Sequence, residues 1–555
     1  MKFRRLSSDS KGFILPAVLS FIIVVLIIAG AVLEIINTNL SNINNNVKSQ
    51  RAFNIAEAGI NYYLWHLSHN GIDYQDGTGA PLTQDPKLGY GPYVHNYVDG
   101  NAVNVGTFTL WIKPQGAGST IVTVESIGKV KGDSNIRTVV AKIGAASFAS
   151  YGVISDQALW FGNTETASGP VHSNQGIRLD GANTDTVTSA NSTYTPPSGL
   201  GGGTNDPGVW CSPSVTTPVN CNTRNKTTWQ YPVAAVTFPS VTTSLCNMKK
   251  VAFGDNASTS ALAGQANICT IAAGLPVTRT SAYLPQRCTT GSGTSCSYSL
   301  TRGYLIKLNN NGTYDLLNVN GEDDTKKPYT AALTTSPIAT GIAIPPSGVI
   351  FAEDNVWVLS NTTFHGRVTI ASARLAQANV NTEAVIAGPL LYSTKNGSDA
   401  IGLVSEGSVF IAPYAPFAPP SNATYPGNQA FNFEVDGALL AENNNVTYGE
   451  YSETTNQNLE PDYRSNTNRC AYGWKNSNQT FTFYGSVASR QLWTWTYNWF
   501  NCGDGVFDAT QGGYIVGIEN NDSQYDYNLL YAPPPSYPLA NGYQILSWRE
   551  VLTHP

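Results

Sequence analysis

Charge is scarce in this chain. Of 555 residues, 12% are Asp, Glu, Lys or Arg, the formal net charge is −6, and no basic block occurs outside the first dozen residues. That leaves no electrostatic footprint for nucleic acid. Catalytic signatures are absent too: no nucleophile elbow, HExxH, Walker loop or GxGxxG. The eight cysteines contain no CxxC pair, which argues against a zinc site or a redox dithiol. The six histidines, His66, His69, His95, His172, His365 and His554, form no ligand motif. His66 and His69 share a helical face by spacing, and read as surface imidazoles.

What is plentiful is turn and strand chemistry. Gly, Asn, Ser, Thr and Tyr abound, a composition suited to all-β structure with many turns. The length allows two to four domains. An even cysteine count in a chain that reads as exported implies disulfides. The spacing suggests local pairs: Cys211–Cys221, Cys246–Cys269, Cys288–Cys296 and Cys470–Cys502.

The N-terminus has the one long apolar run. A basic leader, MKFRRLSSDSKG, precedes FILPAVLSFIIVVLIIAGAVL, Phe13 to Leu33, which carries no charge and is long enough to span a bilayer. The leader lysines and arginines hold the N-terminus inside, so the rest faces outward. Three readings compete: a secretory signal cut near Ala29-Gly30-Ala31, a plain single-pass anchor, and a prepilin cut after Gly12. The residues beyond Leu33 favour the third. Ile36, Leu40, Ile43 and Val47 recur at helical spacing, and the stripe resumes at Phe53, Ala56, Ile60, Leu64 and Leu67. No Pro or Gly falls between Ala31 and Ala58. Roughly 50 residues at ~1.5 Å each make a rod of about 75 Å, which a signal peptide has no use for.

FNIAEAGINYYLWHL, Phe53 to Leu67, resembles the Ala-Glu-Ala-Gly segment of PilX-type minor type IV pilins, with Ala56-Glu57-Ala58-Gly59 as the matching core. The resemblance implies cleavage by prepilin peptidase between Gly12 and Phe13 and N-methylation of Phe13. It marks Ala17, Glu34, Ala56, Glu57, Ala58 and Gly59 as filament-core or motif positions. Major pilins carry Glu at the fifth mature position; here it is Ala17. That departure suits a subunit with none above it, at the filament tip. YDYNLLYAPPPSYPLANGYQILSWREV, Tyr525 to Val551, resembles the closing segment of large pilin-associated proteins with a β-helix-like passenger.

The fold expected is mainly β with one long N-terminal α-helix: a helix plus antiparallel sheet, then a parallel β-helix or β-solenoid with a disulfide-stapled insertion. The divisions are 1–12 leader, 13–70 transmembrane and filament-core helix, 71–147 pilin-like sheet, 148–193 first rungs, 194–346 disulfide-rich insertion, and 347–555 solenoid continuation and cap. Residues 71–97 read as loop. Strands are expected at 106–114, 119–130 and 135–144, where apolar residues alternate between turn-formers. Short apolar rungs with Gly or Asn corners suggest the solenoid, although no fixed period is found. A β-sandwich with long loops is the alternative. Trp548 and the Pro533–Pro535 run are expected to seal its open end.

Site candidates are few. In LWTWTYNWF, Leu492 to Phe500, Trp493, Trp495, Tyr497 and Trp499 alternate; a strand there would put them on one face, either in the core or as an exposed platform for sugars or a protein. Asp354, Glu406, Glu434 and Asp436 are the carboxylates a β-helix polysaccharide enzyme would use. Glu322-Asp323-Asp324 and Asp504 with Asp508 are possible Ca2+ ligands, but solvated loops are the simpler reading, and no cofactor or metal is expected. The function expected is a minor, tip-located pilus subunit that adheres or initiates rather than turning over substrate. A type II secretion tip pseudopilin and a membrane-anchored β-helix enzyme are the alternatives. Expected partners are prepilin peptidase, other pilins, the inner-membrane assembly platform, and a surface glycan or host-cell receptor. The chain would sit in the cytoplasmic membrane before assembly and on the cell surface after it.

Overall fold

The computed structural model describes residues 14–69, 73–78, 84–114, 121–163, 165–200, 202–212, 226–238, 240–255, 268–269, 279–287, 299, 301–322, 333–376, 381–412, 414–417, 431–448, 479–499, 506–508, 513–518 and 521–551. One long N-terminal helix precedes mainly β structure, in two compact units.

The first unit is built on α1, Ile14–His69. Pro16 falls in its first turn, where its missing N–H costs nothing, and its carbonyl accepts from Ser20 Oγ at 2.8 Å. Every large apolar side chain from Ile14 to Val47 is exposed. From Ala52 on one face is buried: Ala52, Ile55, Ala56, Gly59, Ile60, Tyr63 and Leu67. The helix is amphipathic only where it has a sheet to cover.

That sheet has six strands. β1 (Gln84–Asp85), β2 (Gly89–Val98), β3 (Asn104–Pro114), β4 (Ile121–Val130) and β5 (Ile136–Gly144) lie in chain order. The sixth, Gln544–Val551, is the C-terminal strand beside β5. β2 falls in the stretch read as loop. Its Gly89 and Gly91 have positive φ, and the register with β3 shifts between Tyr90 and Tyr93, so Gly-Pro sits in an irregular stretch of a real strand. The C-terminal strand corrects the expected cap. Trp548 does not close the solenoid; its ring meets Phe53 of α1 edge-on at 5.8 Å.

The second unit is a solenoid of parallel coils. Its long stack runs, in spatial order, through Trp229–Gln230, Val187–Ser189, Val171–Ser173, Val153–Ser155, Gln479–Ser489, Phe431–Ala441, Ala400–Ser405, Arg367–Ser372, Val349–Ala352 and Tyr283–Leu284. All these pairings are parallel. The chain therefore enters mid-stack, winds to one end, crosses to the other, and winds back until Val487 pairs with Val153.

The crossing is made partly by α2, Ser240–Gly254, whose Val241, Leu245, Met248 and Ala252 share a core cluster with Phe351, Ala371, Val404, Leu440 and Ala488 of the stack. A disulfide joins Cys246 of α2 to Cys269 across 23 residues. Cys211 is also disulfide-bonded; the other five cysteines lie outside the described residues. Residues 194–346 are not wholly an excursion. Tyr283–Leu284 joins the long stack, and Gly303–Leu308 pairs in parallel with Asn355–Ser360 in a second one. Thr313–Glu322 and Leu333–Ala343 extend that stack as an antiparallel meander.

A buried serine column marks one corner of the solenoid. Ser155, Ser173, Ser189, Ser372, Ser405 and Ser489 are fully buried. Ser173 Oγ donates to Gln157 O at 2.8 Å, Ser405 Oγ to Thr382 O at 2.8 Å and Ser372 Oγ to Asp354 O at 2.9 Å. Corner carbonyls that the ladders leave unpaired are thus satisfied from within. The proline run lies along the stack rather than over an end: Thr369 Oγ1 donates to Pro535 O at 2.5 Å, and Arg367 Nη2 to Pro533 O at 2.7 Å.

Candidate functional site

The first candidate is α1 with its docking surface. Ala52, Ala56 and Gly59 recur at four and three residues, and the sheet answers with small residues. A Cβ on Gly128 of β4 would lie 2.1 Å from Ala52 O and 2.4 Å from Ala56 N. One on Gly59 would lie 2.2 Å from Ser126 Oγ. Ala-Glu-Ala-Gly is therefore where helix backbone meets sheet backbone, with Ala56 and Gly59 facing in and Glu57 and Ala58 half-buried.

Just before that seam, polar groups bolt the helix down. Lys48 Nζ pairs with Asp133 at 2.9 Å. Arg137 Nη1 donates to Ser49 Oγ at 2.6 Å, its Nε pairs with Glu550, and its guanidinium lies 5.6 Å from the Phe53 ring centroid. Docking thus starts at Lys48, and the apolar residues through Val47 stand clear of it. Ala17 and Glu34 are exposed in that free half. Gly12 and Phe13 lie outside the described residues.

The far end of the helix changes the reading of His66. It is largely buried, with Nε2 3.2 Å from Asp73 Oδ2, while His95 Nε2 lies 2.6 Å from the buried Asp76 Oδ2. Tyr63 Oη donates to Asp73 O at 3.0 Å. These contacts pin the segment after the helix. His69 is exposed, with Nδ1 2.8 Å from Trp65 O. Among the described residues no group of three or more His, Cys, Asp or Glu is placed to hold a metal.

The four solenoid carboxylates do not form one site. Asp354 accepts from Arg287 N at 2.8 Å and Asn355 N at 3.0 Å. Glu406 accepts from Arg374 N at 2.6 Å. Glu434 and Asp436 share Lys395, whose Nζ is 3.1 Å from Asp436 Oδ1. Burial pushes Asp354 and Glu406 each up to about 7, only partly offset by those backbone donors. A carboxyl raised on folding stabilises the fold below its ordinary range, near pH 4, and loses that contribution as pH climbs to about 7. Solenoid stability should therefore fall between pH 4 and 7, by about 3–4 kcal/mol per carboxyl, and flatten above. Amide exchange of the solenoid strands at several pH values reads this. Glu406→Gln should flatten the slope; a wild-type solenoid indifferent to pH would refute it.

The aromatic platform is corrected as well. Trp495 is 4% exposed and packs on Phe481 and Phe483 at 5.4 and 5.9 Å. The strand starts only at Thr496, so Trp493 and Trp495 precede it. Trp493 packs on Phe161 and Trp495. The side chains of Tyr497 and Trp499 lie outside the described residues. Sequence reading missed a different ladder. Trp160, Arg178 and Trp210 sit in register on three parallel strands, with the guanidinium 4.6 and 5.3 Å from the two indole centroids. Asp180 Oδ2 accepts from Trp160 Nε1 at 2.9 Å and Arg178 Nε at 2.7 Å, so the ladder is built for itself. Its signal was equal position on successive coils, visible only once the coils are aligned.

Of the suggested Ca2+ ligands, Glu322 is committed inside: its Oε1 accepts from Trp357 Nε1 at 2.9 Å and from Tyr414 Oη. Asp323, Asp324 and Asp504 lie outside the described residues, as does the Asp508 side chain.

No family model and no curated protein matches the chain. Among solved structures it is similar to the crystal structure of the competence-associated pilin ComZ from Thermus thermophilus, at 13% identity and a TM-score of 0.29, over 92% of this chain and 98% of that one.

Proposed function

We propose that this chain is a minor, tip-located type IV pilus subunit of the PilX type, acting by assembly and binding rather than catalysis. The observation that carries the reading is the division of α1. Residues 52–67 cover the chain's own sheet, while Ile14 to Val47 present bare apolar side chains along some 34 residues, about 50 Å of helix. Such a surface needs a membrane or other apolar helices. A type IV filament supplies both in turn.

In this reading prepilin peptidase cuts between Gly12 and Phe13, and Phe13 is methylated. The helix waits in the cytoplasmic membrane with its C-terminus outside. Assembly on the inner-membrane platform then moves it among the helices of other pilins. Ala17, in place of an acidic side chain, fits a subunit with no neighbour above. The solenoid is the part offered to a surface glycan or receptor, or used to initiate the fibre.

N-terminal sequencing of the mature protein tests this. The expected start is N-methyl-Phe13. A start at Val32 would mean the apolar segment is removed and would overturn the proposal.

A further inference from the structure

The unit that carries α1 is discontinuous. Five of its strands come before the solenoid and the sixth after it, so 399 residues, Ala145 to Tyr543, intervene between neighbouring strands. The sixth strand is integral: Trp548 covers Phe53, and Glu550 holds the Arg137 that also grips Ser49 of the helix. Were the intervening chain unfolded, closing a loop of that length would disfavour the contact by roughly 10³-fold relative to a short turn.

The folded solenoid removes that penalty, because its two chain ends are clasped. Phe148 N donates to Pro538 O at 3.0 Å and Ala540 N to Ala146 O at 2.8 Å, with Ser147 bridged antiparallel to Leu539. The Oη of the buried Tyr525 donates to Ala149 O at 2.9 Å, reinforcing the same base. Folding the solenoid thus delivers residue 541 beside residue 146, and only a few residues of chain remain on either side before the strands that must pair.

We propose that the solenoid gates the helix-bearing unit: its sheet is completed, and α1 locked onto it, only after the whole chain has been exported and the solenoid has folded. The consequence for assembly rests on the pilus reading above. It gives a subunit that cannot present a finished docking unit while its large β region is incomplete.

The test is hydrogen exchange on the full-length protein in detergent micelles, following β5, the Ala52–Leu67 segment and the solenoid strand Arg367–Ser372. Deleting residues 545–555 should speed exchange in β5 and Ala52–Leu67 at least tenfold and leave 367–372 unchanged. A synthetic peptide of residues 542–555 should restore protection. In the other direction, Trp357→Ala, in the solenoid core, should loosen 367–372 and with it β5 and Ala52–Leu67. By contrast, Trp548→Ala should loosen only β5 and Ala52–Leu67. Unchanged protection of the helix segment in the deletion, or in a Trp357→Ala chain whose solenoid has opened, overturns the gate. A wild-type chain that shows this coupling but never enters filaments would overturn the pilus reading and leave the gate standing.

Discussion

Replacing Gly128 by valine should unfasten α1 from its sheet. The new Cβ would meet Ala52 O at 2.1 Å and Ala56 N at 2.4 Å, with Ala56 Cα at 3.0 Å. All three are helix backbone, which has no rotamer to change. The helix would have to lift by an ångström or more, and Ile55, Ile60, Tyr63 and Leu67, all buried, would lose close packing together. The expected loss is about 3 kcal/mol or more for the helix–sheet unit. Gly59→Ala is the informative contrast. Its obstacle is Ser126 Oγ at 2.2 Å, with the Phe108 ring behind it at 3.0 Å. A side-chain oxygen can turn away, and alanine returns about 1 kcal/mol of helix propensity. Gly59→Ala should therefore cost under half as much, and Ser126→Ala should recover most of it. Amide exchange over Ala52–Leu67 reads both. A Gly128→Val chain with native protection there would mean the close approach is not what seats the helix.

Why the helix could be read from the chain and the solenoid only partly comes down to where the information lies. α1 is written locally: an uncharged apolar run, then apolar positions at spacings of three and four. β3 alternates cleanly, and β4 and β5, apolar-rich runs between turn-formers with several consecutive buried residues, were readable as strands too. β2 was hidden because Gly89, Gly91 and Pro92 look like a loop, although they occupy the irregular start of a strand. In the solenoid the rungs are visible but their order is not. Successive coils are offset by 18 and 16 residues near the entry (Ile154, His172, Thr188), then by 20, 33, 36 and 48 on the return (Val349, Thr369, Gly402, Ala438, Ser486). Loops of unequal length leave at the corners, so no period survives. The join of Val487 to Val153 and the return of Gln544–Val551 to the first sheet are long-range pairings with no local mark. For the candidate site the same holds. Ala56 and Gly59 could be found by motif, but their purpose depends on Gly128 and Ser126, about 70 residues away. The Trp493–Trp499 alternation misled because it runs across a strand boundary.

Trp357→Ala should cost the solenoid about 3–5 kcal/mol from the cavity alone. Trp357 is fully buried in the middle of the second stack, with Leu305 and Val385 as its in-register neighbours. Room for the ring is kept by Gly303, whose Cβ would come within 3.0 Å of Trp357 Cζ3. The indole also does polar work, since Nε1 donates to Glu322 Oε1 at 2.9 Å. Removing it takes a donor from a carboxylate held between the indole and the Tyr414 hydroxyl, which adds about 1–3 kcal/mol. The two contributions can be separated. Trp357→Phe keeps most of the volume and loses only the donor, so it should cost about 1–3 kcal/mol. Adding Glu322→Gln to Trp357→Phe should then recover part of that loss, because a neutral amide tolerates the missing donor better than a carboxylate. Urea unfolding of the four chains, followed by exchange in Arg367–Ser372, gives the comparison. If phenylalanine and alanine cost the same, the cavity is not the main debt, and the stack is held at this level by the Trp357–Glu322–Tyr414 hydrogen bonds rather than by packing.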